Sequence, residues 1–310
     1  MHHRRPLAAK PGTQPGTFRP DNILTFTATE GTPEKLLDFL LTVFPSARRT
    51  TVKDYLKYRQ VMLNGTVTTQ FDSKVAPGSE VKVNTTREFQ VFSHPRIKLV
   101  YEDDDVIVIE KGYGVLSMGT DKIKDGTAYS ILREYLKRKD PRNKLFIVHR
   151  LDRDTTGLMM FAKTREAKDT MQHNWNNMVL ERKYVAVIEG DLEPESGEIR
   201  SYLAENSAHE VYSTNDPEQG KLAVTYYKTL KRRKPYSLVE LSLATGRKNQ
   251  IRVHMKDKGH PIVGDRRYGA GASPIHRLCL HAQTLRFVHP VTRKDMNFSA
   301  PLPAGFFRLV

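Results

Sequence analysis

Beyond its first twenty residues the chain alternates short apolar runs with charged or glycine-rich breaks, and their spacing predicts two units. Over residues 33–44, Leu36, Leu37, Leu40, Leu41 and Phe44 recur at the spacing of one helix face. A second helical stretch covers residues 51–58. Residues 61–67 set two apolar runs about Asn64-Gly65, a pair suited to a tight hairpin because both turn positions need positive φ. Pro77-Gly78 marks a turn before a strand over 80–83. A break around Ser93-His94-Pro95 then gives expected boundaries of 1–20 for an arm, 21–92 for a small α/β domain and 93–310 for a larger one.

Strands dominate the larger segment. Residues 106–110 form a short apolar strand, followed by a turn at Gly112-Tyr113-Gly114. Thr127 is placed to cap a helix that carries Ile131, Leu132, Tyr135 and Leu136 on one side. The apolar run Phe146-Ile147-Val148 enters a charged turn, and Leu158-Met159-Met160-Phe161 leaves it, which predicts strand–loop–strand. Thr164 can cap another helix running to about Trp175. Residues 181–189 alternate into a strand, and 236–244 set Val239, Leu241 and Leu243 against Glu240 and Ser242. Residues 249–258 read as a helix. Strands interrupted by single helices, without a regular βαβ repeat, argue for α+β around a mixed sheet.

Charge narrows the class. The 310 residues hold 50 Lys+Arg against 35 Asp+Glu, a net charge of +15. Such a balance suits a polyanionic partner, since each phosphate neutralised releases counterions. No apolar run approaches the ~20 residues of a bilayer span, so a membrane partner is not expected. The single cysteine, Cys279, excludes an intrachain disulfide and lies in an apolar stretch that reads as core. Residues 1–20 lack an apolar signal core and are basic with Pro and Gly, which reads as a disordered arm. A cytoplasmic monomer is expected.

The most informative segment is His149-Arg150-Leu151-Asp152-Arg153-Asp154-Thr155-Thr156-Gly157. An Asp in such a turn is most often a turn former or half of a surface ion pair. The whole run, however, resembles the H-R-L-D-x-x-T-S-G box of RluA-type RNA pseudouridine synthases, with Thr156 for the usual Ser. Two further boxes follow in the family's order. Residues 181–190 are similar to K-x-Y-x-A-x-V-x-G. Residues 243–255 resemble L-x-T-G-R-x-H-Q-I-R-V-H, with Asn249 for the usual His, followed by a segment similar to G-x-P-I-x-G-D-x-x-Y-G that includes Asp265 and Tyr268. The helix–helix–hairpin of the first unit, with Arg48, Arg49, Lys53, Lys57 and Arg59 near its second helix, resembles an S4 RNA-binding domain. These likenesses imply a pseudouridine synthase fold, a mixed and largely antiparallel sheet with flanking helices, plus an S4-like unit.

The resemblance also implies roles. Asp152 is the catalytic carboxylate, Arg252 pairs with it, Tyr184 faces the base, and Arg150 fills the stack left by a flipped nucleotide. Arg247 joins the basic residues of the first unit as an RNA contact. Without the resemblance, Arg252 reads as a helix-surface residue, Tyr184 as core, and His254 and His260 as solvent-facing. Other chemistries lack their signatures: the Gly112/Gly114 pair lacks a third glycine, and there is no P-loop or nucleophile-elbow serine. The histidines show no metal-ligand spacing joined to acids, and isomerisation itself calls for no metal or redox cofactor. The expected substrate is large-subunit ribosomal RNA. Transfer RNA is the alternative within the family. A non-catalytic RNA-binding or assembly factor and a glycosidic-bond hydrolase are rivals outside it.

Overall fold

A computed structural model describes residues 21–310; the expected basic arm, 1–20, lies outside the described residues. The chain divides into two compact units, one running to Val91 together with Arg138–Pro141, the other comprising Phe92–Lys137 and Arg142–Val310.

In the first unit, β1 (Ile23–Thr27) precedes α1 (Leu36–Val43) and α2 (Arg49–Lys57), followed by β2 (Val61–Leu63), β3 (Thr66–Val67) and β4 (Glu80–Asn84). The strands form an antiparallel sheet ordered β1-β4-β2-β3. Leu36, Leu40, Val52 and Leu56 from the helices pack with Val61, Val81 and Val83 in one core. Asn64 and Gly65 turn at φ 47° and 79°, and Asn64 Oδ1 accepts from the Glu80 amide at 2.8 Å, latching the hairpin to β4. The first helix starts at Leu36 and not at Pro33. Lys35 is still extended, and the Leu36 and Leu37 amides donate to the carbonyls of Ser73 and Phe71. Strand β1 has no counterpart in the sequence reading, because its side chains are mostly exposed and leave no alternation.

The second unit holds β5 (Ile97–Glu102), β6 (Val106–Lys111), α3 (Ala128–Lys139) except its last two residues, β7 (Phe146–Ile147), β8 (Thr156–Ala162), α4 (Arg165–His173) and α5 (Trp175–Met178). It continues with β9 (Val179–Glu189), β10 (Ser196–Glu205), β11 (Val211–Thr214), β12 (Lys221–Arg233), β13 (Tyr236–Leu243), α6 (Gln250–Asp257), β14 (Leu280–Val288), β15 (Asp295–Ser299) and α7 (Ala304–Phe307). Nine strands follow the order β11-β10-β12-β13-β9-β14-β8-β6-β5, with β15 on β14 and β7 on β8. Every named pairing in this sheet is antiparallel except β14 with β8, which is parallel over His281–Thr156 and Ala282–Gly157. The architecture is α+β on a mixed, largely antiparallel sheet.

Local signals survive well. Thr127 Oγ1 accepts from the Ser130 amide and Thr164 Oγ1 from the Ala167 amide, both at 3.1 Å. The helix expected to reach Trp175 stops at His173, and a separate turn of helix follows from Trp175.

The histidines correct the surface reading. His254 is fully buried, with Nδ1 2.8 Å from Thr225 Oγ1 on β12 and Nε2 3.1 Å from Ser201 Oγ on β10. It ties α6 to the sheet through partners 29 and 53 residues away, so no local pattern announces it. His260 is half-buried against the Glu189 carbonyl. His289 is buried 186 residues from its partner Asp103, and with Asp105 these groups could offer three ligand atoms to a metal. Asp103 is already engaged, however, accepting from Tyr101 Oη at 2.7 Å and from the Asp105 and Val106 amides, which makes the cluster a loop lock.

Burial pushes both His254 and His281 down to about 4 from an ordinary 6.5. An unfolded chain therefore binds more protons between those values, and stability falls as pH drops through that window. Each residue contributes a slope of up to about 1.4 kcal/mol per pH unit. Denaturant unfolding between pH 7 and 4.5 should show this loss, and His254→Gln should flatten it; a slope indifferent to that substitution would contradict the neutral buried ring.

Candidate active site

The segment between β7 and β8 is held at every second residue. His149 Nε2 accepts from the Met160 amide at 3.0 Å, and its ring packs 5.2 Å from Trp175. The Leu151 amide donates to Ser117 Oγ, and that hydroxyl donates back to the Leu151 carbonyl at 2.6 Å. Lys111 Nζ, fully buried at the end of β6, donates to the carbonyls of Arg153, Val115 and Gly112. Burial draws this lysine down to about 8, against the pull of Asp152 and Asp154. With 149, 151 and 153 tied down, Arg150 is left exposed and Asp152 and Asp154 half-buried.

Asp152 lines a cavity of about 530 Å³ together with Tyr184, Trp175, Ile251, Arg252 and Leu280. Burial raises its carboxyl above the ordinary value, while Arg252, Arg150 and Lys111 pull it back and Asp265 pushes it up. Tyr184 reaches the cavity from β9, opposite Leu241 of β13 and Ala282 of β14. Burial lifts its phenol to about 12, so it stays protonated at neutral pH and offers a ring face and an O–H, not a ready base. Arg182 lines the same cavity, its guanidinium 5.6 Å from the Trp175 ring.

The expected grip of Arg252 on Asp152 is redirected. Arg252 binds Asp265 bidentately, Nε to Oδ2 at 2.7 Å and Nη2 to Oδ1 at 2.8 Å. Its remaining edge turns to the segment before β8, with Nη1 3.7 Å from Asp152 Oδ2. Asn249, in a left-handed conformation before α6, accepts from Arg252 Nη1 at 3.1 Å and donates to Tyr268 Oη at 3.0 Å. The Arg252 guanidinium sits over the Tyr268 ring, 4.9 Å from its centroid. The guanidinium is thus fixed by three partners before it meets Asp152, and a neutral amide at 249 adds no competing charge. Sequence reasoning quoted Asp265 and Tyr268 inside a box without giving them a task. The signal available was an acid 13 residues beyond an arginine in an apolar setting, too weak to name a pair.

Arg247 is exposed at the rim of the cavity, its Nε on the Leu222 carbonyl at 2.9 Å. In the first unit, Arg48, Arg49, Lys53, Lys57 and Arg59 are all exposed, while Val52 and Leu56 turn α2 toward its core.

The cavity thus brings a carboxylate, a clamped arginine and an aromatic wall together on a mixed sheet. Residues 105–257 match the model of the RNA pseudouridylate synthase family. Ribosomal large subunit pseudouridine synthase D of Escherichia coli strain K12 is 32% identical over 305 residues, with 93% of each chain covered. The uncharacterized RNA pseudouridine synthase YlyB of Bacillus subtilis strain 168 is 33% identical over 297 residues, covering 93% of this chain and 97% of that one. The solved structure of human RNA pseudouridylate synthase domain containing 1 superposes with a TM-score of 0.54 at 26% identity, covering 69% of this chain and 86% of that one. The chain belongs to the RNA pseudouridylate synthase family, and it is an isomerase.

Asp265→Asn should break the bidentate grip and let the Arg252 guanidinium shift. A misplacement of about 1 Å at a reacting centre costs roughly 100-fold in rate, so kcat should fall by about that factor with RNA affinity little changed. Single-turnover kinetics alongside binding would show it; wild-type kcat in the variant would remove Asp265 from the positioning of Arg252.

Proposed function

We propose that the chain converts uridine to pseudouridine in structured large-subunit ribosomal RNA, with Asp152 as the reacting carboxylate. The observation that carries this is that Asp152 is the only acid among the described residues lining the cavity, and Arg252 and Tyr184 line it too. A hydrolase working by paired carboxylates would need a second acid there. The ribosomal substrate is supported by the names of the relatives that match nearly the whole chain.

The reaction breaks the bond from base N1 to ribose C1′, turns the base, and joins C5 to C1′, with the C5 proton lost and one gained at N1. It is redox-neutral and needs one carboxylate near the sugar, either as nucleophile at C1′ or as base at the 2′ carbon. Asp152 serves both routes, and Arg252 keeps it ionised and aimed. Tyr184 stacks on the extruded base. Arg150, exposed on the same segment, fills the vacated place in the RNA stack with its planar guanidinium. Arg247 holds phosphate at the rim.

The first unit, residues 21–92 in this reading, is an S4-like RNA-binding domain whose exposed Arg48, Arg49, Lys53, Lys57 and Arg59 add affinity and site choice. The chemistry belongs to the domain that follows, acting as a monomer. Among the described residues no helix is long and apolar enough to cross a membrane, and we assign the enzyme to the cytoplasm with its ribosomal substrate.

Asp152→Asn should abolish release of label from C5-tritiated uridine in RNA while RNA affinity stays within about twofold, since shape is kept and only the ionisable oxygen is lost. Substantial turnover by this variant would end the assignment.

Removing residues 1–91 keeps Phe92, whose ring packs 5.2 Å from Tyr135. The shortened protein should fold and turn over RNA at saturation but bind more weakly. Each lost phosphate contact should flatten the log–log salt slope by about 0.7–0.9. An unchanged slope would show that the first unit does not touch RNA; a folded but inactive truncation would show that catalysis needs it.

A further inference from the structure

The 149–157 segment has a second cavity on it, about 990 Å³ in volume. Both cavities are lined by Arg150, Leu151, Asp152, Lys248, Asn249 and Arg252, so they meet at the reacting carboxylate. Their other walls differ in how many guanidinium groups they carry. The first cavity adds the rings and aliphatic side chains of Tyr184, Trp175, Ile251 and Leu280, and two guanidinium groups, from Arg182 and Arg247. The second adds four guanidinium groups, from Arg153, Arg266, Arg267 and Arg277.

Arg277 is the informative one. It is half-buried, its guanidinium 5.4 Å from the Tyr113 ring and 5.3 Å from the Phe306 ring. Nη2 donates to Thr156 Oγ1 at 2.8 Å and Nε to the Leu278 carbonyl at 3.1 Å. Among the described residues no carboxylate lies within ion-pair distance of it. Arg252 is matched by Asp265, Lys163 by Glu102, and Lys111 by three carbonyls; Arg182, on the first cavity, is like Arg277 in having a carbonyl partner and, among the described residues, no carboxylate. The acids that share the second cavity are Asp152, Asp154 and Asp265, of which Asp265 is committed to Arg252. A guanidinium taken partly out of water without a counter-ion is costly unless an anion arrives. With Nε and Nη2 held by protein oxygens, Nη1 has no hydrogen-bond partner among the described residues and is left to donate to an oxyanion.

We propose that the second cavity is a phosphate subsite that holds a phosphodiester directly flanking the target uridine. Arg277 is its central cation, with Arg266 and Arg267 beside it. The base then occupies the first cavity, the ribose lies over Asp152 where the two cavities meet, and the adjoining phosphate sits on the Arg277 side. This rests on the reading of Asp152 as the reacting carboxylate. It adds that the sugar is positioned from its phosphate as well as from its base.

The test uses the full-length protein and the shortest ribosomal RNA stem-loop that it turns over, with one phosphodiester at a time replaced by an uncharged methylphosphonate. One of the two linkages flanking the target uridine should cost wild type roughly tenfold or more in affinity, the scale of a charge-assisted hydrogen-bonded contact. Arg277→Gln should weaken binding of the unmodified RNA by a similar factor and no longer respond to that linkage. Because Arg277 also holds Thr156, Arg266→Gln provides an independent arm: Arg266 is exposed and makes no hydrogen bond or ion pair among the described residues. Arg266→Gln should show a smaller coupling to the same linkage, and it alone decides if Arg277→Gln fails to fold. Additive losses in the folded variants, or coupling only to a linkage further away, would overturn the subsite. Turnover surviving in Asp152→Asn would overturn the underlying reading instead, so the two failures are distinguishable.

Discussion

Two residue pairs hold the catalytic unit in one geometry. Where β14 meets β8, the sheet departs from its antiparallel pattern for His281–Thr156 and Ala282–Gly157. Gly157 sits at φ 114°, and a Cβ there would lie 2.1 Å from the Ala282 carbonyl oxygen, so no other residue fits without moving a strand. The segment entering β8 carries Asp152, while the opposite side of β14 pairs with β9, setting Ala282 against Tyr184. One central strand therefore fixes the carboxylate and the aromatic wall relative to each other. The cavity between them is a consequence of that seam, and a slip in register would turn every side chain of β8 to the other face.

Within the seam the charges are ranked by how firmly each is held. Asp265 is buried and takes the close, bidentate contact with Arg252, and Asp152 receives what remains at 3.7 Å. In the proposed role, a carboxylate locked into two short hydrogen bonds would be a poor nucleophile or base, because its lone pairs would be spent. Asp265 spares it by absorbing the guanidinium's strongest directions. Arg252 then acts on Asp152 mainly through its field, which burial of the pair strengthens relative to water. Arg150 and Lys111 add to that field, and burial works against it. The balance leaves the Asp152 carboxyl above its ordinary value, with burial the largest influence and the cations opposing it.

How much of this could be read along the chain depended on the span of each interaction. The Asn64-Gly65 hairpin and the caps at Thr127 and Thr164 close within three residues or so, and their residue types announced them. The boxes around Asp152, Tyr184 and Arg252 were legible as motifs, and the structure brings those three side chains to one cavity. The edge strand β1 and the long ladder of β10 to β12 were not legible, since partners supplied by the fold and not by periodicity define them. His254 was misjudged for the same reason: a histidine is polar in sequence, and only Thr225 and Ser201 make its burial affordable. The redirected grip of Arg252 shows the limit most clearly. A motif identifies which residues meet, but which of two carboxylates takes the shorter contact is settled by packing.

The substitution of Thr156 for the usual Ser in the first box can be judged on the same terms. Its hydroxyl accepts from Arg277 Nη2 at 2.8 Å and lies 2.8 Å from Nδ1 of buried His281, the residue it faces across the seam. One oxygen thus joins the end of the 149–157 segment to β14 and to the guanidinium of the second cavity. Serine would supply the same oxygen. Threonine adds a methyl group at a position only 4% exposed, and a β-branched side chain is restricted in χ1 and at home in a strand. The departure therefore keeps the hydrogen-bonding function and stiffens the residue that carries it. What the site requires at 156 is an oxygen held in one direction, so that the segment bearing Asp152 and the cation at Arg277 are set by a common point.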